Sequence, residues 1–379
     1  MRHLSVLALL STLSACGLRH ASDPLETGTA DESAGGFLSP TLALGTGCVA
    51  PASAHFVLAG GTVVGVGRAD VEIDQGRIVS VGVAPAGVPT VDVTGAWLTP
   101  AVIDSHVHLA YLPEGDAMAQ GGVAAVVDLA APTSWLATDH APLRVVASGP
   151  MITAASGYPT EGWGRNGYGL EVTSATEGTD AVGTLYDLGA RVIKLPITSG
   201  PQLESDVAAA VVTRAHSLGI FVVSHALGDA DALAAADAGV DVLAHTPVSP
   251  LSDASLTAWS GRAVITTLAA FGGGDATVAN LAALDAAGAT VLYGTDFGNS
   301  RTPGVDAREL ALLVEAGLSP AEVLAATTST PATFWGFTDL GAIAPGKAAS
   351  LLVLPSDPLV DPLVLASATA VYLDGVRME

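Results

Sequence analysis

Several apolar runs in this 379-residue chain end on, or enclose, a side chain that can ligate a metal or titrate. His106 and His108 close the run Val102-Ile103-Asp104-Ser105-His106-Val107-His108. Lys194 sits within Val192-Ile193-Lys194-Leu195, and His225 follows Phe221-Val222-Val223-Ser224. His245 follows Val242-Leu243-Ala244, and Asp296 ends Gly294-Thr295-Asp296. In extended chain, residues i and i+2 point the same way, so His106 and His108 can address one ion together. Imidazole and carboxylate groups are good ligands for zinc and similar divalent ions. One such histidine would more often be a packing residue. Four histidines and an aspartate at strand ends are a metal site if the fold brings those ends together.

The elements between them say that it does. Apolar runs end near Ile103, Leu129, Ala147, Leu195, Ser224, Ala244, Leu268 and Tyr293. They alternate with Ala-rich stretches of helical pattern at 178–188, 204–218, 229–238 and 276–287. Strands alternating with helices predict parallel βα units, and eight of them predict an α/β chain closed as a (β/α)8 barrel over 97–340. Such barrels carry their chemistry at the C-terminal strand ends, where these side chains fall. Before the barrel, closely spaced β-type runs at 55–58, 62–66, 70–73, 77–82 and 90–93 predict a small antiparallel sheet. Strand-like runs return at 350–354 and 369–374, so 55–96 and 341–379 are expected to build one flanking sheet domain from both ends of the chain.

Residues 1–15 read as an export signal: Arg2 and His3, an apolar stretch from Leu4 to Leu13, then small residues. Leu13-Ser14-Ala15-Cys16 resembles a bacterial lipoprotein signal, which implies a lipid anchor at Cys16 and a protein held at a bacterial membrane on the exported side. Residues 16–54, rich in Gly, Ser, Thr and Ala, read as a flexible tether. Cys48 is then left as an unpaired thiol.

Composition excludes several classes. Lys and Arg number 14 against 37 Asp and Glu, a formal charge of −23. A sequence-independent nucleic-acid binder needs the opposite balance. Two cysteines cannot make a disulfide framework. Mean hydropathy is high, yet no uninterrupted apolar run approaches the ~20 residues of a spanning helix, so the only membrane contact expected is the lipid anchor. No Gly-x-Ser-x-Gly nucleophile motif and no phosphate-binding Gly-Lys-Ser/Thr motif occurs.

The stretch Leu98-Thr99-Pro100-Ala101-Val102-Ile103-Asp104-Ser105-His106-Val107-His108 resembles the Pro-Gly-x-x-Asp-x-His-x-His opening of the amidohydrolase superfamily, with Ala101 in place of the Gly. His225 and His245, twenty residues apart, resemble the imidazolonepropionase-like and Xaa-Pro dipeptidase-like branch. Gly294-Thr295-Asp296 resembles the strand-8 aspartate motif, and Leu340–Lys347 with Leu351–Leu354 the closing sheet. The resemblance spans about 55–379. It implies a distorted (β/α)8 TIM barrel with a small flanking β-sandwich, and a divalent metal, zinc first. His106, His108 and Asp296 would hold one ion. His225 and His245 would hold a second if Lys194 is carboxylated; a plain Lys194 leaves one ion. Asp296 would take a proton from metal-activated water and return it to the leaving nitrogen.

The implied function is hydrolysis of a small-molecule C–N bond, in a dipeptide or N-acyl amino acid. A one-metal hydrolase of cyclic amides, of imidazolonepropionase or hydantoinase type, is the alternative, and a non-catalytic lipid-tethered binding protein the second. The loop Gly157–Gly169 holds Tyr158, Trp163, Arg165 and Tyr168, and is expected to cover the substrate, with Arg165 gripping a carboxylate. It lacks the Gly-Gly-His of the peptidase relatives, and Leu227 stands where a second histidine often follows the strand-5 ligand. His55, His140 and His216 are expected to be structural, and Asp128 a candidate support for the ligands. The oligomeric state is not legible.

Overall fold

The computed structural model describes residues 55–379; the leader, the tether, Cys16 and Cys48 lie outside them. The described chain opens with β1 (Phe56–Ala59), β2 (Thr62–Val63), β3 (Gly67–Arg68), β4 (Asp70–Asp74), β5 (Arg77–Gly82), β6 (Thr90–Asp92) and β7 (Trp97–Pro100). The barrel strands follow: β8 (Val102–Val107), β9 (Val123–Asp128), β10 (Arg144–Ala147), a short pair β11 (Met151–Thr153) and β12 (Gly169–Glu171), then β13 (Val192–Pro196), β14 (Phe221–His225), β15 (Val242–Leu243), β16 (Ala263–Ile265) and β17 (Thr290–Leu292). The tail adds β18 (Leu351–Leu354), β19 (Ala370–Leu373) and β20 (Val376–Arg377).

Two parallel sheets, β8-β9-β10 and β13 to β17, form the barrel wall. Ser105 N–H donates to the Tyr293 carbonyl at 2.8 Å and joins β8 to β17; Arg191 N–H donates to the Ala147 carbonyl at 3.0 Å and joins β13 to β10. Strands covered on both faces need continuous apolar sequence rather than alternation. Every residue of β8, β9 and β13 is buried. Helices α1 (Gly115–Gln120), α2 (Ala175–Asp187), α3 (Ser205–Ser217), α4 (Asp229–Asp237), α5 (Asp253–Trp259), α6 (Asp275–Ala286), α7 (Ala307–Glu315), α8 (Pro320–Thr327) and α9 (Ser329–Trp335) lie between or after the strands. Caps set several starts. Ser174 accepts from Glu177 N–H, Asp306 from Arg308 and Glu309 N–H, and Ser319 forms a capping box with Glu322. The parallel βα reading is therefore borne out for the strands β8 to β10 and β13 to β17. Two strand ends move: the first strand runs on to Val107 rather than ending near Ile103, and the seventh stops at Ile265 rather than near Leu268, where Thr267 adopts a left-handed φ of 45°.

Beside the barrel stand two further sheets, ordered β5-β4-β1-β6 and β20-β19-β18-β7-β2-β3. Their facing side chains, among them Leu58, Val71, Ile73, Leu98, Leu351 and Tyr372, form a core of their own. The hairpins β4–β5 and β19–β20 turn on consecutive left-handed residues, Gln75-Gly76 and Asp374-Gly375, the geometry that matches strand twist. Trp97–Pro100, assigned above to the barrel, pairs instead with β18, Leu98 opposite Val353. The chain thus enters the first barrel strand directly from the sandwich. Arg144 of β10 reaches the same region, contacting Asp339 and Asp374.

Candidate metal centre and its cavity

His106 lies near the end of β8 and His108 immediately follows it, two residues apart, and both are buried. His106 Nδ1 lies 2.8 Å from the Ala244 carbonyl. A carbonyl only accepts, so Nδ1 carries the proton and Nε2 presents a lone pair inward. That Nε2 stands 3.3 Å from His108 Nε2. Asp296 Oδ1 lies 3.6 Å from His106 Nε2 and 3.1 Å from His108 Nε2. Ligands about 2.1 Å from a tetrahedral zinc stand about 3.4 Å from each other. These three atoms are spaced as the ligands of one ion would be, and Nε2 atoms this close need a cation or a proton between them.

The loop after β17 is built for this approach. A Cβ on Gly294 would meet Ile265 Cγ2 at 2.4 Å and His106 N at 3.1 Å, and one on Gly298 would meet His108 Cβ at 2.7 Å. Asp296 itself adopts φ 54°, which Asp tolerates better than most residues. Asn299 Nδ2 donates to Asp296 Oδ1 at 3.0 Å. Beneath, Asp104 accepts from His106 N–H, Thr295 N–H and Thr295 Oγ1, clamping the first ligand strand to the last. Burial pushes the Asp104 carboxyl up to about 7.

Lys194, His225 and His245 complete the ring. The His245 ring centroid lies 4.6 Å from that of His106 and 4.8 Å from that of His225. His245 Nδ1 lies 3.0 Å from Thr267 Oγ1. Lys194, fully buried, finds no hydrogen-bond partner for Nζ among the described residues. Burial, hardly offset by Asp296, brings its amine down to about 7. Burial, with Lys194 next, pushes His225 down to about 3, and burial holds His106 and His245 well below the usual imidazole range. These imidazoles are neutral at neutral pH, the form in which a histidine can ligate a metal. Burial alone would raise the Asp296 carboxyl, but the neighbouring imidazoles, His106 foremost, bring it down to about 2 and keep it ionised.

A cavity of about 240 Å³ opens on the cluster. Its lining includes all six residues proposed as ligands or base, together with Met151, Tyr158, Trp163, Ala270, Phe271 and Asn299. Tyr158 stacks on His225 with centroids 4.7 Å apart, and Trp163 packs 5.1 Å from His108. Trp163 Nε1 donates to Tyr158 Oη at 2.9 Å, closing an aromatic roof from His108 to His225. Two of the four substrate residues expected from the sequence are therefore at the cavity and two are not. Arg165 is exposed and donates to the Glu161 carbonyl, and Tyr168 is buried behind Trp163. Arg165 turns outward because its own loop supplies an acceptor four residues back. Asp128 supports the site as a backbone clamp, accepting from Leu109 N–H at 2.7 Å just beyond His108. His55 pairs with Glu72, His140 stacks on Trp135 and His216 pairs with Asp241, all away from the cluster. A second cavity of about 230 Å³, beside Glu114, Asp116, Trp135 and His140, shares none of the cluster residues.

Residues 274–376 match the amidohydrolase family model. A Xaa-Pro dipeptidase solved with methionine in its active site superposes with a TM-score of 0.74 over 86% of this chain and all of that one, at 20% identity. The chain carries the amidohydrolase fold. A protein from Bifidobacterium longum assigned as a prolidase superposes at 0.73, with 25% identity over 86% of this chain and 95% of that one. A segment of 66 residues is 41% identical to the N-acyl-D-aspartate deacylase of Alcaligenes xylosoxydans xylosoxydans, covering 16% of this chain and 13% of that enzyme's length. In this amidohydrolase fold the ligand cluster sits where barrel chemistry is found, at the C-terminal strand ends. Sequence reasoning missed Thr267, Phe271 and Asn299. Only Asn299 carried a signal, three residues beyond Asp296 in the same loop.

Proposed function

We propose that the protein is a metal-dependent hydrolase of C–N bonds in small amides. The observation that carries this is the convergence of His106 Nε2, His108 Nε2 and Asp296 Oδ1 at 3.1 to 3.6 Å. His106, His108 and Asp296 would hold one divalent ion, zinc on the donor set. His225, His245 and Lys194 would hold a second, Lys194 as its carbamate. The unpartnered, buried amine supports that role, because such a group reacts as a neutral nucleophile and gains ligands when it becomes an anion. When bound, a divalent ion supplies acidification of water and polarisation of the scissile carbonyl.

The chain's own groups do the rest. Asp296 keeps Oδ1 against His108 and Asn299, and its other oxygen accepts the proton from the attacking water. It then delivers that proton to the departing nitrogen. Tyr158 and Trp163 hold the substrate against the ligands and exclude bulk water. N-acyl amino acids and dipeptides fall within this class, in keeping with the deacylase and dipeptidase likenesses. A one-metal hydrolase of cyclic amides is the second reading, favoured by the fact that, among the described residues, the tight triad of possible ligands is His106, His108 and Asp296. We also propose export and lipid anchoring at Cys16, on the leader sequence.

The test is metal analysis of the purified protein, then a screen of acyl amino acids, dipeptides and cyclic amides after zinc or manganese addition. Hydrolysis that chelation removes is the expected result. No metal bound and no hydrolysis would overturn the proposal.

A further inference from the structure

We infer that the preferred substrates are uncharged amides with an aromatic or branched apolar group beside the scissile bond, rather than amides bearing a free carboxylate. This rests on the hydrolase reading above and narrows it. Apart from the ligand cluster, the cavity is walled by Met151, Tyr158, Trp163, Ala270, Phe271 and Asn299. These are apolar or aromatic groups and one neutral amide. Among the described residues, Lys194 is the one lysine or arginine in the lining, and it belongs to the ligand ring. Any positive charge there faces the scissile carbonyl and not the distal part of the substrate.

A carboxylate lodged against the outer wall would lose its water and gain no charge-assisted partner, a costly exchange. Arg165, the cation expected to serve, donates to the Glu161 carbonyl outside the cavity. Arg301 is exposed and stands 5.9 Å from the Tyr111 ring centroid, on a ring that packs edge-on against Trp163. It faces the outer layer of the roof and is absent from the lining. The long-range field acts in the same sense, since a net charge of −23 repels anions during approach. The aromatic roof instead offers flat apolar surface to a ring. The cavity of about 240 Å³ admits one ring plus an amide.

The experiment compares N-benzoylglycine with its carboxamide and methyl ester, which differ chiefly in charge, on the metal-loaded enzyme. The neutral pair is expected to exceed the acid by on the order of tenfold or more in kcat/KM. Arg301→Ala should leave that ratio unchanged, and Phe271→Arg should shift it toward the acid. Equal or better hydrolysis of the acid, or an acid activity that collapses in Arg301→Ala, would overturn the inference while leaving the hydrolase reading intact. If none of the three is hydrolysed, fluorescence titration of the tryptophans decides: tighter binding of the carboxamide than of the acid upholds the cavity's preference, and the reverse overturns it. The hydrolase reading is judged separately, by chelation-sensitive turnover in the wider screen.

Discussion

The Nδ1–H of His106 points at the carbonyl of Ala244 at 2.8 Å, so one ligand strand fixes the tautomer of another across the barrel. His245, the next residue after Ala244, is fixed in turn by Thr267, whose Oγ1 lies 3.0 Å from its Nδ1. Removing that hydroxyl should free the ring to rotate. Thr267→Ala is expected to weaken metal binding by about 10–100-fold, the usual cost of losing a partner that orients a ligand. Thr267→Ser keeps the hydroxyl and should restore most of the affinity. Competition titration against a chromophoric chelator reads both; equal affinity in all three proteins would remove Thr267 from the site.

Asp296→Asn should lower turnover by at least about a thousandfold while the fold persists, because Asn cannot take a proton from water. The backbone allows the exchange, since Asn tolerates the left-handed φ of 54° as well as Asp does. Circular dichroism and activity on the same sample check it. A folded variant with full activity would exclude Asp296 as the base.

Lys194→Met should stabilise the metal-free protein while impairing the metal-loaded one. The native amine is buried without a partner, and an apolar chain of similar length removes that burden, by roughly 1–3 kcal/mol. The sign with pH follows from its downward shift to about 7. Between about 7 and the ordinary lysine value of 10.5 the unfolded chain binds the extra proton, so the stability of the native lysine protein rises with pH there. The advantage of the variant is therefore largest below about 7 and fades toward 10.5. Thermal denaturation of the metal-free pair across that range measures it; a variant less stable at every pH would refute it.

Gly294→Ala should abolish metal binding through packing alone. The added Cβ would press on Ile265 Cγ2 at 2.4 Å and on His106 N at 3.1 Å, so β8 must shift outward. Tight ligand spacing tolerates little displacement. Isothermal titration with zinc reports the loss, and unchanged affinity would show that the strand can yield.

Glu309 of α7 accepts from Leu268 and Ala269 N–H and so holds the segment that carries Phe271. Burial raises its carboxyl to about 7. A raised carboxyl binds more protons in the native state, so its contribution falls as pH rises from about 4.5 to about 7. Glu309→Gln should thus gain stability relative to the parent across that window, seen as converging denaturant midpoints. A constant difference would show that Glu309 does not titrate there.

The barrel was legible because its strands are buried on both faces and its helices are Ala-rich, so the two periods separate cleanly along the chain. The candidate site positions stood out for a related reason: they lie in or at the end of apolar runs, His225 terminating β14 and Lys194 lying within β13. The cavity wall was not. Phe271 reaches it through a short 3₁₀ turn after a left-handed Thr267, and no period announces such a turn. Trp97–Pro100 was misplaced because a strand paired to residues far along the chain looks like any other apolar run. Arg165 was misjudged because side-chain direction in a glycine-rich loop depends on which carbonyl lies nearest.

The pairing of β7 with β18 has a temporal side. Leu98 pairs on one edge with Val63, made before it, and on the other with Val353, which the ribosome makes long after His106 and His108. The segment feeding β8 therefore has a partner for one edge as it emerges, and its other edge is covered only when the tail of the chain arrives. A prematurely stopped product, lacking β18, would leave β7 with one open edge just ahead of the strand that carries His106.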